Sequence, residues 1–585
     1  MDNKIITENM FQRKRKKTKS KRRFFYIFVF FLILFILPPI AISIPFVQTF
    51  VVKKVSELLS EHLQTEVKVK SVNIRLFNKV LINGIYLEDD IFNDTLLYVN
   101  KLEANIGKLP IGDRTFTLNK IKLSDGIFCL RSDSTGINIS NILKRLSKQD
   151  TTDSVESQTK MMAKSLELHN FRYKMYLNNG ATTEEQPEGI IYKNMSVSDI
   201  NLDADRISIK NDTLHFRVNS LSFNERSGLN IQKIAADSGY ICFGKEVTLK
   251  EFRMIDDFSD IKMKSLSMIY DGGEEFRDFV NKVNFILDVY DSQVSFATVG
   301  FFAPALANVS ATAELNACIT GPVANFRSDS FEIKSLDNTY IQGRFSIMGL
   351  PDVENTILFA DLKQLYSCSS DISTVLSEIS NGQFNDGGKL KKFGNINFKG
   401  TFTGFVRDFV AHGYLLSNLG ALNMDILLKS NANGFGFKGN LEAINFNIGK
   451  LADSHLIGNA DFNFMVDGKI QKGGKNDISG HGIISSLYFN DYKYQNVNIK
   501  GNLINQSFSG EVTVSEPNLD LDFNGNINLA GGEDRIPVFE FDADLRHVDL
   551  VKLHFNKKDT VSILKTKINA NFKSASILDY SGKLN

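Results

Sequence analysis

The chain has 585 residues, a length that predicts several domains or one elongated array in place of a single core. Its composition, 43% apolar and 23% charged, is that of a folded protein and excludes a largely disordered one. The net charge of +1 hides a basic segment at residues 1–23; the remaining 58 basic and 65 acidic residues give −7, which argues against a nucleic-acid-binding surface.

The first 44 residues predict a membrane anchor. Residues 1–23 form a basic cytoplasmic tail, and the uncharged residues 24–44 would span roughly 31 Å as a transmembrane helix. The basic flank predicts that the N-terminus stays in the cytoplasm and that the rest of the chain lies across the membrane. A cleaved signal peptide is the alternative, although the apolar run is longer than a usual signal core.

Residues 45–64, "PFVQTFVVKKVSELLSEHLQ", predict an amphipathic helix. Val47, Val51, Val55, Leu58 and Leu59 recur at helical spacing, with charged residues on the other side. Such a helix would lie on the membrane, plug the end of the following structure, or pack on a sheet. The sequence leaves these three alternatives open.

From Glu66 onward apolar and polar residues alternate, which predicts β-strands with one apolar and one wet face, typical of an antiparallel sheet. Turns are predicted at the dipeptides Asn83-Gly84, Asp125-Gly126, Asn179-Gly180, Asp467-Gly468 and Asn524-Gly525. Residues 65–146 form the first β region, residues 147–189 contain polar excursions around an intervening strand, and residues 190–585 form irregular β repeats. "ITGPVANF" (319–326) is weakly similar to "FTGFVRDF" (402–409).

Two architectures would bury or use these apolar faces. A sandwich or barrel would close them on each other, and one long curved sheet of ~30–40 strands would leave them lining a groove. Periodicity does not distinguish the two.

Sites for catalysis, cofactors or metals are not predicted. "GFGFKG" (434–439) matches a dinucleotide fingerprint but is followed by strand-like alternation instead of a helix. "DDFSD" (256–260) lacks the order of a calcium loop, His547 and His554 are not at a common metal spacing, and the four cysteines form no C-x-x-C pair. We therefore predict that the protein is not an enzyme.

The N-terminal region resembles a known family. "IPFVQTFVVKKVSELLSEHLQTEVKVKSVNIRLFNKVLINGIYLEDD", followed by "NDTLLYVNKLEANI", is similar to the start of the TamB-type translocation and assembly module proteins, within the AsmA-like group of Gram-negative bacteria. "STGINISNIL" (134–143) is similar to a stretch near the start of AsmA-like proteins. The resemblance covers about residues 22–146, and beyond them only the style of β repeat is shared.

The resemblance implies a single-pass inner-membrane anchor and a periplasmic, taco-like β-groove that conducts phospholipids toward the outer membrane. It also implies a role in inserting outer-membrane proteins with a barrel partner of the TamA type. TamB-type proteins end in a domain that meets this partner, whereas this chain ends at "DYSGKLN", so we expect a truncated sequence. The alternatives are a scaffold for outer-membrane protein assembly or secretion, and a structural periplasmic tether.

A lipid groove would be lined by the apolar side of the alternating strands. The predicted lining residues are Val72, Ile74, Leu76, Leu422, Met424, Ile426, Leu428, Phe435, Phe437, Phe462, Phe464, Val466, Phe539, Phe541, Ile568 and Phe572.

Overall fold

A computed structural model describes residues 45–584, except for 76–77, 90, 109–114, 133–135, 140–141, 143–159, 178–188, 211, 273–274, 276–277, 380–387, 406, 432–433, 472–475, 530, 532–535 and 577–578. The chain is mainly β, with 71% of it in strands of open, almost entirely antiparallel sheet. The described part contains no helix long and apolar enough to cross a membrane; the predicted span at residues 24–44 lies outside the described residues.

Helix α1 spans Pro45–Leu63, as the sequence predicts to within one residue. The strands that follow it are long, most of them 10–18 residues. They are β1 (Val67–Arg75), β2 (Lys79–Glu88), β3 (Thr95–Lys108), β4 (Thr115–Ser132), β5 (Lys160–Leu177), β6 (Asn194–Lys210), β7 (Thr213–Glu225), β8 (Asn230–Cys242), β9 (Glu246–Asp256), β10 (Asp260–Ile269), β11 (Asn284–Ser295), β12 (Thr312–Pro322), β13 (Asn325–Ser335), β14 (Thr339–Met348), β15 (Ile357–Cys368), β16 (Asn395–Phe405), β17 (Asp408–Ser417), β18 (Gly420–Asn431), β19 (Gly434–Asn447), β20 (Ile457–Gln471), β21 (Asn476–Phe489), β22 (Tyr492–Ile504), β23 (Ser507–Glu516), β24 (Leu519–Asn528), β25 (Val538–Asp549), β26 (Ile563–Ser576) and β27 (Asp579–Leu584).

Two compact units divide the chain. The first holds residues 1–243 and 247–257, and the second holds residues 244–246 and 258–585. In the first unit β1 to β8 pair in chain order, and in the second β10 to β27 do the same. All these pairs are antiparallel except β4 with β5, which is parallel. The prediction of an antiparallel sheet is wrong for this one pair, in which residues 115–132 and 160–177 run side by side in the same direction.

Four of the five predicted Asn-Gly or Asp-Gly turns are wrong. Gly84, Gly126, Gly468 and Gly525 lie inside β2, β4, β20 and β24, and the fifth dipeptide lies outside the described residues. Three of these glycines make room for a cross-strand phenylalanine. A Cβ would lie 2.3 Å from the Phe171 ring at Gly126 and 2.5 Å from the Phe437 ring at Gly468, and at Gly525 it would lie 2.4 Å from the Phe541 Cβ. The aromatic rings cover the bare glycine backbone, so these glycines belong to the sheet and not to turns.

The similarity between residues 319–326 and 402–409 corresponds to a repeated hairpin. The first stretch joins β12 to β13, and the second joins β16 to β17. Gly321 and Gly404 hold equivalent positions, since a Cβ there would meet the carbonyl oxygen of Asn325 at 2.2 Å and of Asp408 at 2.4 Å. Both have a positive φ, +107° and +142°, that favours glycine.

Four longer connections lie at one edge of the second unit's sheet, which we call the insertion edge. They join β11 to β12, β15 to β16, β19 to β20, and β25 to β26. Helix α2 (Phe279–Lys282) precedes them, between β10 and β11. The four connections contain the short helices α3 (Phe296–Gly300), α4 (Ser369–Ile379), α5 (Lys389–Phe393) and α6 (Ile448–Ala452) and a 3₁₀ turn (Pro304–Leu306). The opposite edge, which we call the turn edge, carries the connections that join β10 to β11, β16 to β17 and β18 to β19, among others.

Asn138 and Ile142, which follow β4, pack against α1 and the first strands of the first unit. Asn138 is fully buried and donates from Nδ2 to the buried Asp89 carboxylate at 2.6 Å and to the Cys129 carbonyl at 3.0 Å. Ile142 packs with Leu63 of α1 and with Leu96. Asn138 and Ile142 therefore connect the end of β4 and α1 to the first strands, while Leu58 and Leu59 of α1 stay exposed.

Candidate functional site

The second unit carries an apolar sheet face made of continuous rows of side chains. Cross-strand pairing aligns one apolar or glycine residue from each strand, from β10 to β26, with no polar interruption. This central row is Met263, Val289, Ala317, Phe331, Gly343, Leu362, Gly400, Gly413, Met424, Leu441, Phe464, Gly482, Ile499, Val512, Phe523, Ala543 and Ile568. At about 4.8 Å per strand its contour is roughly 75 Å long.

Three further rows run beside the central row on the same face. The row nearer the turn edge contains one polar residue, Ser328 in β13. From β16 onward this row consists of Phe402, Ala411, Ile426, Gly439, Val466, Gly480, Gly501, Gly510, Gly525, Phe541 and Ala570. The outermost row there is Gly404, Phe409, Leu428, Phe437, Gly468, Ile478, Leu503, Phe508, Ile527, Phe539 and Phe572. On the insertion-edge side the row is Phe398, Leu415, Leu422, Ala443, Phe462, Ile484, Val497, Val514, Leu521 and Leu545.

The first unit has the same kind of face. One row is Val72, Ile82, Leu102, Leu123, Leu168, Leu202, Leu221 and Ile234, and the row beside it is Ile74, Val80, Ala104, Ile121, Leu166, Ala204, Val218 and Ala236. The rows pass through the parallel pair β4–β5 without a break. In both units the apolar face therefore arises because the strand register aligns apolar residues of neighbouring strands, and it does not depend on any single residue.

The predicted lining residues fall on these faces wherever the structure describes them. Val72 and Ile74 lie in the first unit's rows, and Leu76 lies outside the described residues. The thirteen predicted residues between Leu422 and Phe572 all share the apolar face of the second unit, with Phe435 at its turn-edge end. The predicted lining residues leave out β2 to β8, β10 to β17 and β21 to β24, which also contribute side chains to these faces. Alternation in those strands would have indicated them, although bulges shift its phase in some of them.

Exposure of the apolar face changes along the second unit. In β11 to β15 the central row is buried, with Val289, Ala317, Phe331 and Leu362 no more than 7% exposed. From β16 to β26 most of its side chains are half-buried, including Met424, Phe464 and Ile499. The apolar face from β16 to β26 is therefore the part with enough exposed surface to contact a ligand.

The two edges of that stretch differ in how the face is covered. At the insertion edge the helices cover it: Phe393 of α5 and Leu451 of α6 pack around Leu419 and Phe446, which are 2% and 4% exposed. At the turn edge Phe435, Leu503 and Leu529 are 45%, 41% and 58% exposed. The face is therefore shielded along one side and accessible from the other.

The opposite face of the sheet is polar and carries cross-strand ion pairs. Lys438 contacts Asp467 at 2.8 Å, and Arg546 bridges Asp520 at 2.5 Å and also Asp522. The hydrogen bond from Arg546 lowers the pKa of Asp520, and the hydrogen bond to Asp467 raises the pKa of Lys438. On the apolar side, burial raises the pKa of Tyr494 to about 12.

A pocket of about 880 Å³ lies on the polar face, across β19 to β26. Its walls are two rows of polar side chains, and its floor is the backbone of Gly480, Gly501, Gly510 and Gly525. Asparagines and carboxylates dominate the walls, so the pocket suits polar ligands and not acyl chains.

Metal-binding side chains are not assembled in the described part of the chain. No group of three or more His, Cys, Asp or Glu residues there could hold a metal ion. Cys129, Cys242, Cys318 and Cys368 are free thiols on or beside strands. Gly434, Gly436 and Gly439 of the "GFGFKG" stretch lie inside β19, and no helix follows at the place a dinucleotide would need.

In comparisons with known proteins, no protein-family model, curated protein or solved structure matches the chain.

Proposed function

We propose that the protein is a membrane-anchored lipid conduit of the TamB type, which moves phospholipids between the inner and outer membranes along its apolar sheet face. The observation that carries the proposal is the unbroken central row from Met263 to Ile568, half-buried from β16 onward. A repeated surface of this kind needs no reactive residue. The resemblance of residues 22–146 to TamB-type proteins supports the same function.

The energetic reason for such a face is the cost of exposing acyl chains to water. About thirty methylenes at ~0.8 kcal/mol each give roughly 24 kcal/mol for a two-chain lipid without a carrier. Four parallel rows spaced two residues apart make a band roughly 20 Å wide, enough to cover two chains side by side. Headgroups would stay in water beyond the turn edge.

The anchor and the location belong to the same proposal. Residues 24–44 would fix the chain in the inner membrane, and the sheet would lie in the periplasm. An outer-membrane barrel partner of the TamA type would receive the far end.

A structural tether is the second candidate, and one observation favours it. The central row is already buried in β11 to β15, as a tether with a closed face would require throughout. A scaffold for outer-membrane protein assembly would instead use the sheet to receive client strands.

Lipid analysis of the purified full chain tests the proposal. The protein is first delipidated, then incubated with phospholipid and purified again. We expect native mass spectrometry to show more than one two-chain phospholipid bound per chain. Lipid restricted to a single copy, or unfolded outer-membrane proteins in place of lipid, would contradict the conduit.

A further inference from the structure

The connection between β25 and β26, residues 550–562, is an insertion-edge loop with an unusual surface. Phe555 and Val561 are 58% and 72% exposed, and Ile563, the first residue of β26, is 58% exposed. Large apolar side chains grouped in one short exposed segment mark a contact surface more often than a solvated loop.

The loop is held rigidly at its base. Leu553 is 1% exposed and packs into the cluster that contains Val514 and Val548. The Phe555 amide donates to the Leu550 carbonyl at 2.9 Å, and Asn490 Nδ2 donates to the His554 carbonyl at 3.2 Å.

His554, the residue before Phe555, has a φ of +64°. This left-handed conformation is uncommon for residues other than glycine, and histidine is among those that adopt it most often. Between the buried Leu553 and the exposed Phe555, it lets the chain turn outward within two residues.

Positive charge surrounds the exposed apolar side chains. Residues 549–565 contain four lysines, Lys552, Lys557, Lys558 and Lys565, against two acids, Asp549 and Asp559, and Lys552 Nζ lies 3.7 Å from the Asp549 carboxylate. The Asn556 side chain accepts from the backbone amides of Lys558 at 3.1 Å and Asp559 at 3.3 Å, which fixes the turn that carries the lysines. This basic segment stands out because the chain beyond residue 23 has a net charge of −7.

We propose that this loop docks on the surface of an anionic lipid bilayer, with Phe555, Val561 and Ile563 inserted at the headgroup level and the lysines facing lipid phosphates. Apolar side chains flanked by lysines are the combination that interfacial membrane contacts use. A nucleic acid would match the lysines but not the three aliphatic and aromatic side chains. The inference is independent of the lipid-conduit proposal, since it rests on Phe555, Val561 and Ile563, which do not belong to the rows of the apolar face.

Vesicle binding by the full chain, held in neutral phosphatidylcholine nanodiscs, tests the inference. We expect the protein to co-float with phosphatidylcholine vesicles that contain phosphatidylglycerol and not with pure phosphatidylcholine vesicles. Because each lysine near an anionic surface is worth about fivefold in affinity, Lys557→Glu with Lys558→Glu lowers binding at least ~25-fold. Binding also weakens as salt rises.

The apolar contribution has its own variant and control. Phe555→Ser with Val561→Ser lowers binding at least about tenfold, and both residues are exposed enough that the fold is kept. Phe302→Ser is the matched control: Phe302 is 46% exposed in the insertion-edge connection between β11 and β12, where residues 296–311 contain no lysine or arginine, and we expect unchanged binding.

Equal binding to neutral and anionic vesicles would overturn the inference. So would a loss of vesicle binding with Phe302→Ser equal to that of the loop variants, or binding of an acidic protein in place of vesicles. Lipid co-purification in the loop variants stays as in the wild type, so failure of this inference is distinguishable from failure of the conduit.

Discussion

The double variant Ile426→Asp with Phe464→Asp loses the bound phospholipid while remaining folded. Ile426 pairs with Gly439 and Phe464 pairs with Leu441, both on the half-buried part of the apolar face. Carboxylates there stay hydrated and hold water where an acyl chain would lie, because burying an unpaired charge is far costlier than burying a methylene. Each substitution costs about 1–3 kcal/mol of unfolding free energy, since neither side chain is fully buried.

The neighbouring residue supplies the control for this experiment. Met465 follows Phe464 in β20 but lies on the polar face, where it is 49% exposed. Met465→Asp should leave both the thermal melting curve and the lipid content, measured by mass spectrometry after extraction, at the wild-type level. Wild-type lipid content in the double variant would show that lipid, where present, binds elsewhere.

The second large predicted effect is a loss of folding stability in the variant Gly510→Val, which adds one isopropyl group. Gly510 pairs with Gly501 and Gly525 in the middle of the sheet. A Cβ at Gly510 would lie 2.3 Å from the Lys500 carbonyl oxygen and 2.5 Å from the Gly501 Cα, both of them backbone atoms. We expect Gly510→Val to lower the unfolding free energy by about 3 kcal/mol or more, because the strands must separate to admit the side chain.

Gly436→Val, in β19, is the matched control. The nearest atom to a Cβ at Gly436 is the Gly468 carbonyl oxygen at 3.6 Å, an ordinary contact distance. Its melting temperature should stay close to the wild type. Equal melting temperatures for Gly510→Val and the wild type would mean that β22, β23 and β24 do not approach each other as described.

The alternation of residues was enough to predict which side of a strand each residue occupies. Met424, Phe464 and Phe541 were assigned to one face from a period of two, and the register puts them on it. The period is a local property of each strand, so it survives whatever the strands pair with.

The long-range arrangement could not be predicted in the same way. The parallel pairing of β4 with β5 joins two strands that are distant in sequence, and the alternation within each strand does not encode it. Gly126 and Gly525 were taken for turn residues because a dipeptide carries no information on the phenylalanine that faces it across the sheet. Shielding by α5 and α6 at the insertion edge likewise depends on contacts distant in sequence.

The central claim is that the apolar face of the second unit receives lipid chains. A photoreactive benzophenone side chain at Ile499, on that face, and another at the adjacent Asn498, on the polar face, test it in living cells. We predict phospholipid adducts at position 499 and none at position 498. Protein adducts at position 499, or no adduct at either position, would contradict the claim.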